Sequence, residues 1–312
     1  MNNTAWVFPG QGSQFVGMAR ELYEQYPEAR EIFHAADDAL GQPLSTLCFE
    51  GPEGELTDTI NAQPALLTHS IAALAALKST LGAEIVMPLM VAGHSLGEYS
   101  ALVAAGALQF SDAVKLVRAR GAAMKHAGEI RAGGMAAILG LDDQKLAEIC
   151  SEAGAVQVAN MNAPGQLVIS GEKEALDRAI GLAKKAGAKR AIPLAVSIAA
   201  HSELMRPAVD QFRAAVMATS IHPPTLPVLS NVTVEPLATV EAIQNEMLAQ
   251  LTSPVQWVKT IELMASQGIH LFLELGPKDV LAGLIKRITT GTTAISIGTP
   301  AAIQNLRGEK AG

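Results

Sequence analysis

A serine framed by two glycines is the residue of this chain best placed to act as a nucleophile. Ser95 lies in the sequence GHSLG at residues 93–97, which follows an apolar run at residues 85–92 and precedes a helix-forming segment at residues 98–105. A serine at the apex of such a strand, turn and helix projects its hydroxyl out of the sheet, and glycines without Cβ let strand and helix approach closely. The pattern predicts a nucleophile elbow and acyl-transfer chemistry, although the bare pentapeptide also arises by chance.

A second glycine cluster, FPGQGSQ at residues 8–14, follows the first apolar run of the chain. Its spacing departs from the dinucleotide-binding pattern Gly-x-Gly-x-x-Gly because the next glycine is Gly17, and it lacks a Walker lysine. Backbone N–H groups exposed near Ser95 could hold the oxyanion of a tetrahedral intermediate. The cluster is therefore either an oxyanion-stabilising loop or a plain strand-to-helix turn.

A nucleophilic serine needs a base, and the chain has 7 histidines. His94 adjoins Ser95, but consecutive side chains at a sharp turn point apart. His201 is the best candidate, because it follows a hydrophobic stretch at residues 191–200 and lies where a loop can face the elbow. A structural role for this histidine remains the alternative.

Length and composition indicate a protein with a large core. The chain has 312 residues, 49% of them hydrophobic and 17% charged, which predicts one large domain and a smaller one. A net charge of −7 disfavours nucleic acid as a partner. No export signal or membrane anchor is expected, and Cys48 and Cys150 are interpreted as packing residues in a reducing cytosol.

Apolar runs alternate with helical patterns, which predicts an α/β fold with a parallel sheet. Strands are expected at residues 5–8, 85–92, 228–230 and 270–274, with residues 85–92 as the central strand, and helices at residues 19–39, 64–81, 98–105, from an N-cap at Ser111 or Asp112 to 124, and from 278 to 287.

Residues 133–194 have a different order of predicted elements, β-α-β-β-α-β. The strands are expected at 135–139, 156–160, 166–170 and 190–194, and the helices at 142–153 and 173–186. This order matches the ferredoxin-like arrangement. We expect an inserted ferredoxin-like domain at 133–194 within a larger α/β-hydrolase-like catalytic domain formed by residues 1–132 and 195–312.

Several spaced motifs together resemble one enzyme family, the malonyl-CoA:acyl-carrier-protein transacylases of bacterial fatty-acid synthesis. They are FPGQGSQ at 8–14, GHSLGEYSAL at 93–102, Arg120-Gly121, the asparagine pair Asn160 and Asn162 followed by Pro-Gly-Gln, His201, and PVQW at 254–257. The resemblance is collinear from about residue 4 to about residue 290, essentially the whole chain.

This resemblance implies a role for each matching residue. Ser95 would be the nucleophile and His201 its base, with a backbone or amide carbonyl near Gln256, rather than a carboxylate, orienting the imidazole. The backbone N–H groups of Gln11 and Leu96 would form the oxyanion hole, and Arg120 would bind the free carboxylate of the malonyl group. The two remaining candidates for lining the cleft toward the pantetheine arm are Asn160 and Asn162, although turn or capping roles suit asparagine equally.

The resemblance also implies substrates and partners. Malonyl-CoA would donate to the phosphopantetheine thiol of an acyl carrier protein by ping-pong transfer, without metal or bound cofactor, since CoA and phosphopantetheine arrive on the substrates. Carrier proteins of this pathway are acidic, so a local basic rim is expected, with contributions from Lys184, Lys185, Lys189 and Arg190. The protein is expected to be a cytoplasmic monomer.

Alternatives remain open at this stage. Polyketide-synthase relatives selective for malonyl often have phenylalanine before the catalytic histidine, whereas this chain has Ala200 there, which could admit a branched donor such as methylmalonyl. The acceptor could belong to a fatty-acid, a trans-acting polyketide or a malonate-decarboxylase system. A serine (thio)esterase of the α/β-hydrolase type would share the elbow but has no use for Arg120. A carrier-protein binding module with a silent site is the non-enzymatic alternative.

Overall fold

The computed structural model describes residues 3–196 and 198–310, which form an α/β fold with two separate sheets. The strands, in chain order, are β1 (Thr4–Phe8), β2 (Met90–Gly93), β3 (Gly133–Leu139), β4 (Val156–Ala163), β5 (Gln166–Glu172), β6 (Arg190–Pro193), β7 (Leu271–Leu275) and β8 (Thr293–Ile297). The first sheet has the order β2-β1-β7-β8, and all its strands are parallel. The second has the order β4-β5-β3-β6, and all its neighbours are antiparallel.

Helices cover both sheets. In chain order they are α1 (Arg20–Gln25), α2 (Pro27–Leu40), α3 (Leu44–Glu50), α4 (Glu53–Thr57), α5 (Thr59–Leu81), α6 (Gly97–Ala104), α7 (Phe110–Ile130), α8 (Asp143–Ala153), α9 (Lys173–Lys185), α10 (Arg206–Ala218), α11 (Val240–Ala249), α12 (Trp257–Ser266), α13 (Val280–Ile288) and α14 (Pro300–Lys310). Every residue of β1 is buried, as expected for an inner strand of a parallel sheet covered on both faces.

The longest helix, α5, runs through the core beneath the parallel sheet. Asp58 caps its N-terminus by accepting a hydrogen bond from the backbone N–H of Ile60 at 3.1 Å. Thr59–Glu84 is long and apolar enough by composition to cross a membrane, but 72% of its apolar window is buried inside the protein, as in a core helix of a globular domain.

Residues 133–194 carry the β-α-β-β-α-β order that their sequence predicts. The strands β3 to β6 and the helices α8 and α9 agree with the predicted elements to within about three residues at each end. Apolar side chains of these elements form a cluster of their own, which includes Cys150. Cys48 and Cys150 are both buried free thiols, as predicted.

Several predicted boundaries in the remainder are wrong. The apolar run at residues 85–92 forms a strand only from Met90, and this strand, β2, lies at the end of the sheet order rather than in its centre, where β1 and β7 lie. Hydrophobicity reveals burial but not the order of parallel strands, and this strand is covered by neighbouring segments at the sheet edge. The predicted strand at residues 228–230 is reduced to single bridges, Val91 with Val228 and Leu229 with Pro236.

Helix boundaries differ for local reasons. The predicted helix at residues 19–39 is two helices, because Tyr26 adopts an extended conformation (φ −118°) before Pro27 begins α2. Neither Ser111 nor Asp112 caps α7, which begins at Phe110 with Gln109 at the N-cap position. The sequence patterns did not predict strand β8 or the helices α3, α4, α10, α11, α12 and α14.

Candidate active site

The turn from β2 to α6 holds Ser95 in a strained conformation that neighbouring glycines make possible. Ser95 has a φ of 52°, in the left-handed region that serine rarely adopts. A Cβ on Gly93 would lie 1.8 Å from the carbonyl carbon of Gly97, and a Cβ on Gly97 would lie 2.0 Å from the carbonyl oxygen of Phe8. Strand, turn and helix therefore pack at distances that only glycine permits, and the predicted elbow is present.

Asn231 stabilises this turn from outside the motif. Its Oδ1 accepts a hydrogen bond from the backbone N–H of Ser95 at 2.7 Å, and its Nδ2 donates to the carbonyl of Gly93 at 2.7 Å. Its own backbone N–H donates to Glu98 Oε2 at 2.8 Å. Asn231 is 1% exposed, so these bonds are shielded from water. Sequence reasoning missed this residue, because no local pattern links residue 231 to the elbow.

The Ser95 hydroxyl has an imidazole within hydrogen-bonding distance. Its Oγ lies 2.8 Å from His201 Nε2, and His201 Nδ1 lies 2.7 Å from the backbone carbonyl oxygen of Gln250. Since a carbonyl oxygen can only accept, Nδ1 carries the proton and Nε2 is left to accept from the serine. Burial, together with the positive charge of Arg120, lowers the pKa of His201 to about 3. The imidazole is therefore neutral at physiological pH.

The carbonyl that orients His201 belongs to Gln250, so the expectation for Gln256 is wrong. The Gln256 side chain instead donates to the carbonyl of Val232 and accepts from Lys259 Nζ at 2.6 Å. The physical reason lies in α11, whose C-cap residue is Gln250. Carbonyls at the end of a helix have no intrahelical partner and are free to accept from another group.

Arg120 lies on α7 with its guanidinium buried next to Ser95. The side chain is 1% exposed; Nη1 donates to Gln63 Oε1 at 2.9 Å, and Nη2 donates to Gln250 Oε1 at 2.8 Å. The same Nη2 lies 3.4 Å from Ser95 Oγ, and the guanidinium carbon lies 5.5 Å from the centre of the Tyr99 ring. Burial lowers the pKa of Arg120, but a guanidinium stays charged in proteins. The site therefore contains a buried cation beside its nucleophile.

One cavity of about 690 Å³ joins nearly all the predicted residues. The predicted site residues that line it are Gln11, Ser95, Leu96, Arg120, Asn160, Asn162 and His201. Gln256 is not among the lining residues. The loop of Gln11 is tethered by its side chain, whose Oε1 accepts from Thr59 Oγ1 at 3.0 Å.

The two asparagines differ in their contacts. Asn162 Oδ1 lies 2.8 Å from His94 Nε2, and the His94 ring packs against Trp257 with 5.6 Å between ring centres. This contact engages the ring nitrogen of His94 that could otherwise act on a substrate, in agreement with the expectation that His94 is not the base. Asn160 is 6% exposed on the same strand, β4.

Two buried carboxyl groups lie behind the elbow. Glu98 Oε1 accepts from Gln250 Nε2 at 3.0 Å, and Glu246 Oε2 accepts from Ser230 Oγ at 2.6 Å. Burial raises the pKa of both groups, and the neighbouring Glu246 raises that of Glu98 further. Within the described part of the chain, His, Cys, Asp and Glu side chains form no group of three or more that could hold a metal ion.

Comparisons with known proteins agree over nearly the whole chain. The family model described as "Acyl transferase domain" matches residues 5–302. A malonyl CoA-acyl carrier protein transacylase of Bacillus subtilis is 47% identical over 99% of this chain and 99% of its own length. The solved structure of the corresponding Coxiella burnetii transacylase is 43% identical, with a TM-score of 0.94 over 97% of this chain and 96% of that one. A second solved structure, a type II PKS acyl-carrier protein in complex with its malonyl-transacylase, is 42% identical, with a TM-score of 0.93 over 98% of this chain and 99% of that one.

Proposed function

The chain belongs to the acyl transferase family and, within it, to the malonyl-CoA:acyl-carrier-protein transacylases, and from this premise we propose that it moves a malonyl group from malonyl-CoA to the phosphopantetheine thiol of acyl carrier protein in fatty-acid biosynthesis. One observation carries the proposal. Ser95 Oγ lies 2.8 Å from a neutral imidazole and 3.4 Å from a buried guanidinium in a single cavity. This arrangement provides a nucleophile, a base and a cation for the far end of a dicarboxylic acyl group.

The first half-reaction forms a malonyl-serine ester. Ser95 Oγ attacks the thioester carbonyl carbon while His201 Nε2 takes the hydroxyl proton. The oxyanion accepts hydrogen bonds from the backbone N–H groups of Gln11 and Leu96, and loss of one such donor typically costs about 3 to 4 kcal/mol in the transition state. The tetrahedral intermediate collapses by breaking the carbon–sulfur bond, and the CoA sulfur takes the proton from His201.

The second half-reaction reverses these roles. The phosphopantetheine thiol of the carrier protein transfers its proton to His201 Nε2 and attacks the ester carbonyl. The carbon–oxygen bond to Ser95 then breaks, and the proton returns to the serine oxygen. In this proposal, CoA and phosphopantetheine enter as parts of the substrates, and the transfer needs no metal or resident cofactor.

Arg120 distinguishes malonyl from acetyl donors in this mechanism. A guanidinium binds a carboxylate in a planar bidentate manner, and hydrogen bonds between charged groups contribute about 1.5 to 3 kcal/mol each. Acetyl-CoA has no carboxylate and leaves the buried charge without a partner.

The two sheets support the proposed division into domains. The four antiparallel strands and two helices of residues 133–194 have their own apolar cluster and the ferredoxin-like strand order, which supports an inserted domain with those boundaries. The parallel sheet, with the elbow at the end of β2, supports an α/β-hydrolase-like catalytic domain formed by residues 1–132 and 195–312.

A basic groove beside the cavity supports a docking surface for the acidic carrier protein. Lys189, Arg190 and Arg287 line a groove of about 750 Å³ together with Pro164. Pro164 follows Asn162 of the main cavity by two residues, which is about 7 Å along an extended chain. Of the basic residues expected from the sequence, Lys189 and Arg190 line this groove, whereas Lys184 and Lys185 lie in the last turn of α9. We propose a cytoplasmic monomer that meets the carrier protein at this groove, without nucleic acid or membrane as a partner.

Two further parts of the proposal concern which carrier protein accepts the malonyl group and which acyl-CoA donors the cavity admits. The complex of a polyketide carrier protein with its malonyl-transacylase, similar to this chain, favours a trans-acting polyketide acyltransferase as the second candidate function. Ala200 lines the cavity, and its small side chain leaves space for a branched donor such as methylmalonyl, although malonyl remains the proposed substrate.

Intact-mass detection of acyl-enzyme tests this proposal directly. The protein is mixed with malonyl-CoA, methylmalonyl-CoA or acetyl-CoA, and then with a phosphopantetheinylated carrier protein. We expect a malonyl adduct on Ser95 that disappears on addition of the carrier protein and never forms in Ser95→Ala. Absence of any adduct would favour a binding module. Rapid ester hydrolysis that is indifferent to Arg120→Ala would favour a serine (thio)esterase.

A further inference from the structure

The guanidinium of Arg120 lies near buried acidic groups without forming an ion pair. Within the described residues, the ion pairs join exposed or half-exposed groups, and none of them involves Arg120. Its nitrogens bind the amide oxygens of Gln63 and Gln250 instead. An amide oxygen carries only a partial charge, so these contacts orient the cation without neutralising it.

Gln250 stands between Arg120 and the nearest buried carboxyl group, that of Glu98. A guanidinium can only donate hydrogen bonds, so the atom of Gln250 that faces it at 2.8 Å must be the oxygen Oε1. The other end of the amide, Nε2, then donates to Glu98 Oε1 at 3.0 Å and to the carbonyl of Ser95 at 3.2 Å. Both are acceptors, so the whole arrangement is consistent with one orientation of the amide.

The guanidinium keeps unused donor capacity in this arrangement. It has five N–H donors, yet Nε is buried with no hydrogen-bond partner among the described residues, and the contact of Nη2 with Ser95 Oγ is long at 3.4 Å. A buried polar group without a partner is costly unless a ligand completes it. The Nη2 group, which faces Ser95 through this long contact, therefore suits an incoming carboxylate.

Resting on the proposed function, we propose that the Gln250 side chain is a specificity-determining positioning residue: its amide holds Arg120 in place and keeps the Glu98 carboxyl from pairing with it, so the positive charge stays available to the donor carboxylate. The main chain of the same residue separately orients His201. A side-chain change at position 250 can therefore alter selectivity while leaving the base aligned.

A double substitution that exchanges the two groups, Gln250→Glu with Glu98→Gln, tests this. The amide introduced at position 98 can still accept from the backbone N–H of Asn231 and donate to the carboxylate at position 250, so volumes and the bond between the two positions are retained. The exchange moves the carboxyl group from one side of the spacer to contact with Arg120. It also removes the amide N–H that donates to the Ser95 carbonyl, which affects both donors equally. The readout is the single-turnover rate of Ser95 acylation by malonyl-CoA and by acetyl-CoA.

We expect the ratio of malonyl to acetyl rates to fall by about tenfold or more in the double variant. Loss of the hydrogen bond to the Ser95 carbonyl slows acylation by both donors alike, so the ratio, and not either rate alone, is the readout. Glu98→Gln alone is the matched control, and its ratio should remain that of the wild type even if both rates fall. An unchanged ratio in the double variant, whether or not both rates fall, or an equal change in the control would overturn the proposal.

A second variant covers the case in which the exchange does not fold. Gln63→Glu places a carboxylate on the opposite side of the guanidinium, where Gln63 Oε1 now lies 2.9 Å from Nη1, and should lower the same ratio by about tenfold. Retention of the wild-type ratio there would contradict the inference. If the wild type forms no malonyl adduct, the proposed function fails and this inference with it. A normal adduct with an unchanged ratio overturns this inference alone.

Discussion

Removing the Asn231 side chain should disable the nucleophile without touching the residues that contact substrate. In Asn231→Ala, the backbone N–H of Ser95 and the carbonyl of Gly93 lose partners that each lie at 2.7 Å. A buried polar group left without a partner costs about 1 to 3 kcal/mol, so the two together cost about 2 to 6 kcal/mol. The turn also loses the bonds that hold Ser95 at its unfavourable φ of 52°.

Loss of these hydrogen bonds should lower both the free energy of unfolding and the rate of acylation. The free energy of unfolding in urea should fall by about 2 to 6 kcal/mol, a large share of the 5 to 15 kcal/mol typical of folded proteins. Displacement of the Ser95 hydroxyl raises the activation free energy of acylation. Each increase of about 1.4 kcal/mol lowers the rate about tenfold. We therefore expect single-turnover acylation by malonyl-CoA to slow at least tenfold, as measured by rapid quench and intact mass.

Asn245→Ala provides the matched control. Asn245 is an exposed residue of α11, and its substitution should change the free energy of unfolding by no more than about 0.5 kcal/mol. If Asn231→Ala acylates at a rate within about threefold of the wild type and unfolds at the same urea concentration, the argument that this side chain maintains the elbow is refuted.

Three further predictions follow from the same geometry. Arg120→Gln should slow acylation by malonyl-CoA about 10- to 100-fold and leave acetyl-CoA nearly unaffected, because one or two charge-assisted hydrogen bonds are lost; equal losses in parallel single-turnover assays would argue against a carboxylate-binding role. The rate of acylation should not change between pH 8 and pH 5. His201 acts as a base only when it is neutral, that is, above its pKa, which is lowered to about 3. A rapid-quench profile in which the rate falls below about pH 6.5 would contradict this. Gly97→Ala should prevent folding or lower the free energy of unfolding by more than about 3 kcal/mol, since its Cβ would lie 2.0 Å from the Phe8 oxygen. Gly181→Ala, in a helix with open space around it, should instead be neutral or stabilising by up to about 1 kcal/mol in urea unfolding.

Much of the site could be predicted because its reactive residues lie in short, contiguous sequence motifs. The elbow is a contiguous motif, and its glycines are required because a Cβ added to either would lie only 1.8 to 2.0 Å from backbone atoms. The second sheet could be predicted for a similar reason. Its strands and helices follow one another in a continuous stretch of the chain, and its strands pair among themselves.

The wrong predictions concern features that depend on contacts between distant parts of the chain. The motif that contains Gln256 predicts an orienting carbonyl near that residue. The His201 imidazole instead bonds to the backbone carbonyl of Gln250, at the end of α11. The position of β2 at the sheet edge could not be inferred either, because a buried strand has the same apolar composition at any place in a parallel sheet.

The sequence by itself determined the nucleophile, the histidine, the arginine and the kind of turn that presents the serine, because residue type and local spacing decide these properties. Only the tertiary structure decided which groups support them. Asn231 lies 136 residues from Ser95 and Gln250 lies 155 residues from it, yet both hydrogen-bond to its backbone. Hydrogen bonds and buried charges depend on distances of a few ångströms in space, and chain folding sets those distances independently of separation in sequence.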